Sequence, residues 1–265
     1  HFRRASFPIN ADLKVTNWLS MGVNSNMSLR RESREDGSFN EFITRPPLAQ
    51  VYNEDGSYTE YINSEGERNP FFKAENYDRQ IAGDSYRLNV FLDIKPFKGF
   101  NYRINASLYE NIKENKEVYY KNYPGGGSAG SISESRDSDW LLENIITYDV
   151  PFHNINHSMV FTCVLSIDHA LNREIGYNTE SIPVDLGPDF LANGVVSGSA
   201  VRGYGENNLV SFMLRGQYAL MDRYMLNLAF RTDGSSRFGV NNKWGFFPSA
   251  AVAWRINQES FMRDI

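Results

Sequence analysis

Cys163 is the only cysteine in 265 residues, which excludes an internal disulfide and any multi-thiolate zinc site. One thiol leaves the redox compartment open. Histidine is also scarce, with four: His153 and His157 stand four apart, but in a turn or strand rather than a helix, and no acidic partner completes a zinc set. Positive charge is in deficit, with 27 Lys and Arg against 32 Asp and Glu, so a net charge of -5 and a pI near 5.5 give no electrostatic reason to approach a phosphate backbone. Nucleic acid is excluded as a partner. No initiator Met, basic leader or apolar leader core precedes the strand pattern at His1, so the chain reads as a fragment of a longer protein. Long apolar runs are missing too. The longest uncharged stretch, Val150 to Ile167, contains Pro151, His153, Asn154, Asn156 and His157, which rules out a membrane-spanning helix. A β-barrel stays open, because only alternate residues of its strands face lipid and a mean hydropathy of -0.47 is compatible with that.

Aromatic residues are plentiful, 15 Tyr, 18 Phe and 4 Trp, and they favour strands. Period-two alternation predicts nine strands: Arg4 to Lys14, Trp18 to Arg30, Ser85 to Lys95, Phe100 to Tyr120, Trp140 to Val150, His157 to Arg173, Asn208 to Leu220, Arg223 to Asp233 and Phe247 to Ile256. Val15 to Asn17, Pro96 to Gly99, Pro151 to Asn156 and Met221-Asp222 have the Pro, Gly, Asn and Asp content of tight hairpin turns. Between them lie long polar segments, read as loops, at Arg31 to Asp84, Lys121 to Asp139, Glu174 to Asn207 and Gly234 to Phe246. Within the first, Asp55-Gly56 and Glu65-Gly66 have no calcium-loop spacing and read as hairpin turns.

One face of the predicted strands carries Tyr86, Leu88, Val90, Leu92 and Ile94, then Phe100 to Leu108 in steps of two, Met159 to Ile167, Val210 to Leu220 and Tyr224 to Phe230 likewise. None of these is charged. The opposite face holds Arg87, Asp93, Arg103, Asp168, Arg215, Arg231 and Asp233. Such alternation fits a soluble sandwich, with the apolar face buried on a second sheet, as well as a barrel in lipid. Sorting short turns to one end and long loops to the other favours the barrel. The predicted fold is therefore all-β: an antiparallel transmembrane β-barrel segment of about nine strands, with short periplasmic turns and long extracellular loops. Trp18, Phe97, Phe100, Tyr102, Tyr148, Phe152, Tyr218, Tyr224 and Trp254 cluster near the short-turn ends, and Tyr86 and Trp140 lie at the opposite ends, where membrane interfaces place aromatic girdles.

The run Arg231 to Gly239 (RTDGSSRFG), followed by Asn241 to Ser249 (NNKWGFFPS), Ala253 to Ile256 (AWRI) and Glu259 to Met262 (ESFM), resembles a signature of the SusC/RagA family of TonB-linked outer-membrane transporters. Lys14 to Asn24 (KVTNWLSMGVN) is similar to that family's recurring periplasmic hairpin. Ala253 departs from the pattern, which has Gly before the Trp, but both residues are small. The resemblance implies that Asp233, Gly234, Ser235, Ser236, Arg237, Phe238, Gly239, Trp244, Pro248, Ser249 and Trp254 are structural motif positions rather than a site. It also implies an energy-coupled importer with a barrel of about 22 strands, lodged in the outer membrane of a Gram-negative bacterium. Residues 1–265 would form part of that wall, with the plug, the TonB box and the N-terminal extension absent. The final Ile265, in place of a terminal aromatic, agrees with a chain cut short. Implied partners are a SusD-like lipoprotein over the barrel, TonB-ExbB-ExbD acting through the missing plug, outer-membrane lipid, and an oligosaccharide or, less favoured, a peptide as cargo.

No catalytic constellation and no cofactor are expected. Gly125-Gly126-Gly127 is not followed by the Gly-Lys-Ser/Thr of a phosphate loop and reads as a flexible outer tip. Asp233-Gly234-Ser235-Ser236 has no histidine near it in sequence to activate a serine. The candidates are binding residues. Tyr52, Tyr58, Tyr61, Phe71, Phe72 and Tyr77 sit on a polar background in the first long loop, where they either stack sugar rings or grip a partner, or pack the loop's own small core. Arg87, Asp93, Arg103, Arg215, Arg231 and Asp233 are expected to face the lumen, hydrating it or pairing with the plug. The rival reading is a soluble or surface glycan-binding β-sandwich without transport.

Overall fold

The structure is a computed structural model that describes residues 1–34, 39–46, 48–123, 127–154, 156–182, 187–239 and 241–262. Nine strands run in sequence order through one antiparallel sheet: β1 (Phe2–Lys14), β2 (Leu19–Arg34), β3 (Tyr77–Ile94), β4 (Phe100–Tyr123), β5 (Gly127–Asp149), β6 (His157–Glu180), β7 (Val195–Leu220), β8 (Tyr224–Ser235) and β9 (Trp244–Trp254). Each strand pairs with the next, and β1 and β9 are the open edges. Two short helices, α1 (Phe39–Ile43) and α2 (Pro70–Glu75), lie in the β2–β3 connection, and 3-10 turns occupy Pro188–Asn193, Ile256–Gln258 and Ser260–Met262.

The register shows why the alternation matters. On one face, Ile146, Cys163, Leu214, Phe230 and Pro248 pair in a continuous row across β5 to β9, and Tyr148, Phe161, Gly216, Leu228 and Ala250 form the row beside it. The same face continues through Val90–Ala106–Leu142–Ile167–Val210 and back to β1 through Val23 and Ala11. No second sheet covers it among the described residues. Leu108, Phe161, Leu214, Leu228 and Val252 are 45–84% exposed, and a buried Leu or Phe is worth about 1.5–3 kcal/mol over an exposed one. A sandwich would not leave them open. An apolar medium against this face satisfies them, which is the condition of a barrel in lipid.

The strands are longer than alternation indicates, always at the end away from the short turns. β3 begins at Tyr77 rather than Ser85, β5 at Gly127 rather than Trp140, and β7 at Val195 rather than Asn208, while β6 continues to Glu180. Most of Lys121 to Asp139 and of Glu174 to Asn207 is therefore strand, and the first connection spans residues 35–76 rather than Arg31 to Asp84. Above the apolar band both faces are polar, as in Lys113-Glu114-Asn115-Lys116-Glu117, so ladder hydrogen bonds rather than burial hold these extensions. β4 runs 24 residues, and its apolar phase ends at Leu108. At about 3.3 Å per residue the rest projects some 50 Å further along the strand. The tip containing Gly125 and Gly126 lies outside the described residues, and Gly127 already belongs to β5.

Among the described residues, the one hydrophobic cluster of buried residues lies on this projecting part. Val118 continues the outward phase of β4 and is fully buried by Ile182 and Leu191, with Tyr120 and Ile132 packed alongside. The Pro188–Asn193 turn thus lies over the outer surface of β4 and β5, fastened by Lys116 to Asp189 at 2.8 Å. That hydrogen bond holds the Lys116 ammonium above its ordinary pKa. Gly130 makes the approach possible, because a Cβ there would stand 2.3 Å from Leu191 and 2.7 Å from the Glu117 carbonyl.

Candidate functional site

On the polar face, the six charged residues expected in the lumen share one phase: Asp93 pairs with Arg103 in the row that runs on through Ile145, Val164 and Met213 to Arg231. Most are already satisfied within the sheet. Arg103 reaches Asp93 at 3.4 Å and Asn105 at 2.8 Å and lies 4.2 Å above the Phe91 ring. Arg231 donates to Asp233 at 2.7 Å and to Ser211 at 3.2 Å, and Arg215 to Asn227 at 3.0 Å. Arg87 lies over Tyr109 at 5.3 Å. Chemically this is a polar wall with its charges paired laterally, and among the described residues it assembles no nucleophile with a base.

The RTDGSSRFG segment forms a hydrogen-bonded corner. Asp233, Gly234 and Ser235 finish β8 as strand residues, so the strand runs two residues past its expected end at Asp233. The Ser236 hydroxyl accepts from the Asn208 amide at 2.9 Å and donates to Asn207 at 3.2 Å, while the Ser235 hydroxyl accepts from the Arg237 amide at 3.2 Å. Lys243 closes the loop on the carbonyls of Ser236 and Phe238 at 3.0 and 2.9 Å. Both serine hydroxyls are thereby committed to backbone geometry. Farther along, Gly234 faces Trp244, whose ring leaves no room for a Cβ, and Pro248 and Ser249 lie within β9.

The ESFM segment has a function that its sequence hid. Glu259 accepts from Tyr224 at 2.6 Å, from the Trp254 indole at 3.0 Å and from Arg223 at 3.4 Å, so one carboxylate ties the β7–β8 turn to the end of β9. Those hydrogen bonds, Tyr224 first, hold its carboxyl below the usual range. Trp254 also stacks on Tyr224 with ring centres 6.2 Å apart.

The first outer connection is an ordered unit. Asn53 to Ser57 and Asn63 to Glu67 are tight turns closed by Tyr52–Tyr58 and Tyr61–Arg68 bridges, with Gly56 and Gly66 at φ of +85° and +82°, as their Asp-Gly and Glu-Gly sequences suggest. Asn69, fully buried, anchors them: its amide donates to the Val51 carbonyl at 2.9 Å and the Thr59 hydroxyl at 3.2 Å, and its oxygen caps α2 at the Phe71 amide. Tyr52, Tyr58 and Phe71 form a three-ring stack with centroid spacings of 5.2 and 5.4 Å. Tyr52, Tyr61 and Phe71 remain exposed, while Tyr58 and Phe72 are half-buried. The stack is thus both packed within the loop and open on its outer side. Tyr77 is separate: it is the first residue of β3, its hydroxyl donates to Glu117, and burial followed by that bond pushes its phenol well above the ordinary range.

Comparison with known proteins places this architecture. The family model for the TonB dependent receptor-like β-barrel matches residues 22–262. TonB-dependent receptor P26 of Formosa agariphila is 27% identical over 267 residues, covering 97% of this chain and 27% of P26. TonB-dependent receptor SusC of Bacteroides thetaiotaomicron is 48% identical over a 60-residue stretch, 23% of this chain and 6% of SusC. The solved RagAB peptide importer in its closed-closed state superposes with a TM-score of 0.81 at 18% identity, over 98% of this chain and 31% of that one. The chain spans about a quarter to a third of the length of these proteins, SusC aside. It belongs to the TonB-dependent receptor β-barrel family.

Proposed function

We propose that residues 1–265 form a stretch of barrel wall in an outer-membrane importer of nutrient oligomers in a Gram-negative bacterium. The plug, the TonB box and the N-terminal extension lie elsewhere in that protein, TonB-ExbB-ExbD acts through the plug, and a SusD-like lipoprotein covers the outer mouth. The observation that supports this reading most directly is the uncharged face paired without a break across nine strands, backed by a polar face whose charges are laterally paired. Lipid meets the first face and the aqueous lumen meets the second.

Cargo recognition falls to the outer loops. The stack of Tyr52, Tyr58 and Phe71, with Tyr61 beside it, presents ring faces of the kind that pack on sugar rings, and this supports an oligosaccharide. The likeness to RagAB, a peptide importer, favours the second reading, a peptide. Tyr77 is withdrawn from the candidate surface by its burial in β3, and Phe72 is half-buried. The test is uptake of an oligosaccharide and of an oligopeptide by the full-length transporter and by its Tyr52→Ala/Phe71→Ala variant at equal surface expression. Loss of oligosaccharide uptake alone supports the first reading, and loss of peptide uptake alone supports the second. Unchanged uptake of both assigns recognition to other parts of the transporter.

A further inference from the structure

Negative charge is concentrated in one place. Residues 35–76 hold nine Asp and Glu against three Lys and Arg, a net charge of -6, whereas the whole chain carries -5. The three bases are engaged inside the loop: Arg45 with Glu67 at 3.1 Å, Arg68 with Glu60 at 3.7 Å and Lys73 with Glu41 at 3.3 Å. Acid is what remains on the outside. Glu54 and Asp55 stand in the first tight turn, Glu65 in the second and Glu75 at the end of α2; all four are exposed, and none forms an ion pair among the described residues. Asp55 keeps its charge firmly, since hydrogen bonds from Ser57 hold its carboxyl below the usual range.

These carboxylates stand in the turns that follow Tyr52 and Tyr61 and on the helix that carries Phe71, three residues whose rings are exposed. The face of an aromatic ring is electronegative, so rings and carboxylates select the same ligand group, a Lys or Arg side chain. A neutral sugar gains from the rings and nothing from the charge. A protein that must settle over the barrel mouth gains from both, because a field of one sign steers association before contact, while the rings supply burial after it.

We propose that the acidic rim of the first outer loop, beside the cargo contact of its rings, is the docking surface for the covering lipoprotein, which meets it with a patch of Lys and Arg. This rests on the reading given under Proposed function and adds the surface, the sign of the charge and the order of events. The ordered frame around Asn69 presents the four carboxylates and the rings without a folding cost at the moment of docking. Docking is therefore fast at low salt and weakens as salt screens the loop.

The test uses the full-length transporter purified with its lipoprotein, beside two loop variants. One is Glu54→Gln/Asp55→Asn/Glu65→Gln/Glu75→Gln, which removes four charges at constant size. The other is Glu54→Asp/Glu65→Asp/Glu75→Asp, which keeps them, so that a defect of folding is distinguishable from a defect of charge. Lipoprotein recovery and rebinding rate are followed between about 0.05 and 0.5 M NaCl, a range that shortens the screening length from roughly 14 to 4 Å. Wild type and the charge-retaining variant are expected to lose lipoprotein as salt rises, and the neutral variant to rebind about ten-fold more slowly at low salt, with the curves meeting at high salt. Equal rebinding by all three at every salt concentration overturns the proposal and leaves the transporter reading standing. Intact docking with slower uptake of a lysine-containing oligopeptide in the neutral variant assigns the four carboxylates to cargo alone and also overturns it. A wild-type transporter that brings no lipoprotein overturns both.

Discussion

Leu214→Arg in the full-length protein puts a cation in the middle of the apolar face. Seven rows of that face cross β7, from Leu220 beside Tyr224 to Asn208 beside His169, and Leu214 lies in the fourth, between Cys163 and Phe230. At about 3.3 Å per residue it stands roughly 20 Å along the strand from either end. A lipid-facing Arg at the midplane costs about 2–4 kcal/mol, falling toward zero near the interfaces. Thr147 provides the control: it neighbours Ile146 of the same row, but faces the polar side between Asn101 and Thr162. Thr147→Arg should shift stability by no more than about 0.5 kcal/mol, as surface substitutions do. The assay is denaturant titration of the full-length transporter folded into lipid vesicles, read by tryptophan fluorescence, with slopes compared to verify a common unfolded state. Equal losses for Leu214→Arg and Thr147→Arg, or a larger loss for Thr147→Arg, would refute the assignment of faces.

Gly130→Ala forces its new Cβ against Leu191 and the Glu117 carbonyl, so it should cost about 1–3 kcal/mol and expose the Pro188–Asn193 segment to protease while leaving the barrel intact. Met221 and Asp222 both adopt left-handed backbone, with φ of 52° and 53°, a conformation unfavourable to Met by about 1–2 kcal/mol, so Met221→Asn should raise the unfolding midpoint in the same titration. The depressed Glu259 carboxyl contributes stability above its unfolded value and loses it as pH falls through its folded one; the deficit of Glu259→Gln relative to wild type should be present at neutral pH and close as pH falls below the ordinary carboxylate range. A deficit that persists unchanged into acid would show that the carboxylate charge is not what ties Arg223, Tyr224 and Trp254 together.

What could be read from the residues alone follows the solvent. Within the apolar band, charge is absent from one side of each strand, so Val210 to Leu220 and Tyr224 to Phe230 declare their phase and the nine strands emerge in the right order. Beyond Leu108 both faces of β4 meet water or a folded-back loop, the alternation fades, and the strand extensions are misread as loops. Tyr77 was legible as an aromatic but not as a strand residue, because Asp78, Arg79 and Gln80 follow it without an apolar rhythm. The turns at Gly56 and Gly66 carry their own chemistry and could be placed from sequence. The anchoring by Asn69 and the three donors on Glu259 could not, since their partners are set by tertiary contact rather than spacing.

Whether one face of this sheet meets lipid and the other water is open to a direct measurement. In a full-length Cys163→Ser background, single cysteines placed in turn from Val210 to Leu220 carry a fluorophore and are exposed to a spin-labelled lipid and to a water-soluble quencher. Positions 210, 212, 214, 216 and 218 should be quenched by the lipid, and 211, 213, 215 and 217 by the aqueous agent, with a period of two residues along β7. Quenching without that period, or with the two sets exchanged, would contradict the placement of this chain as barrel wall.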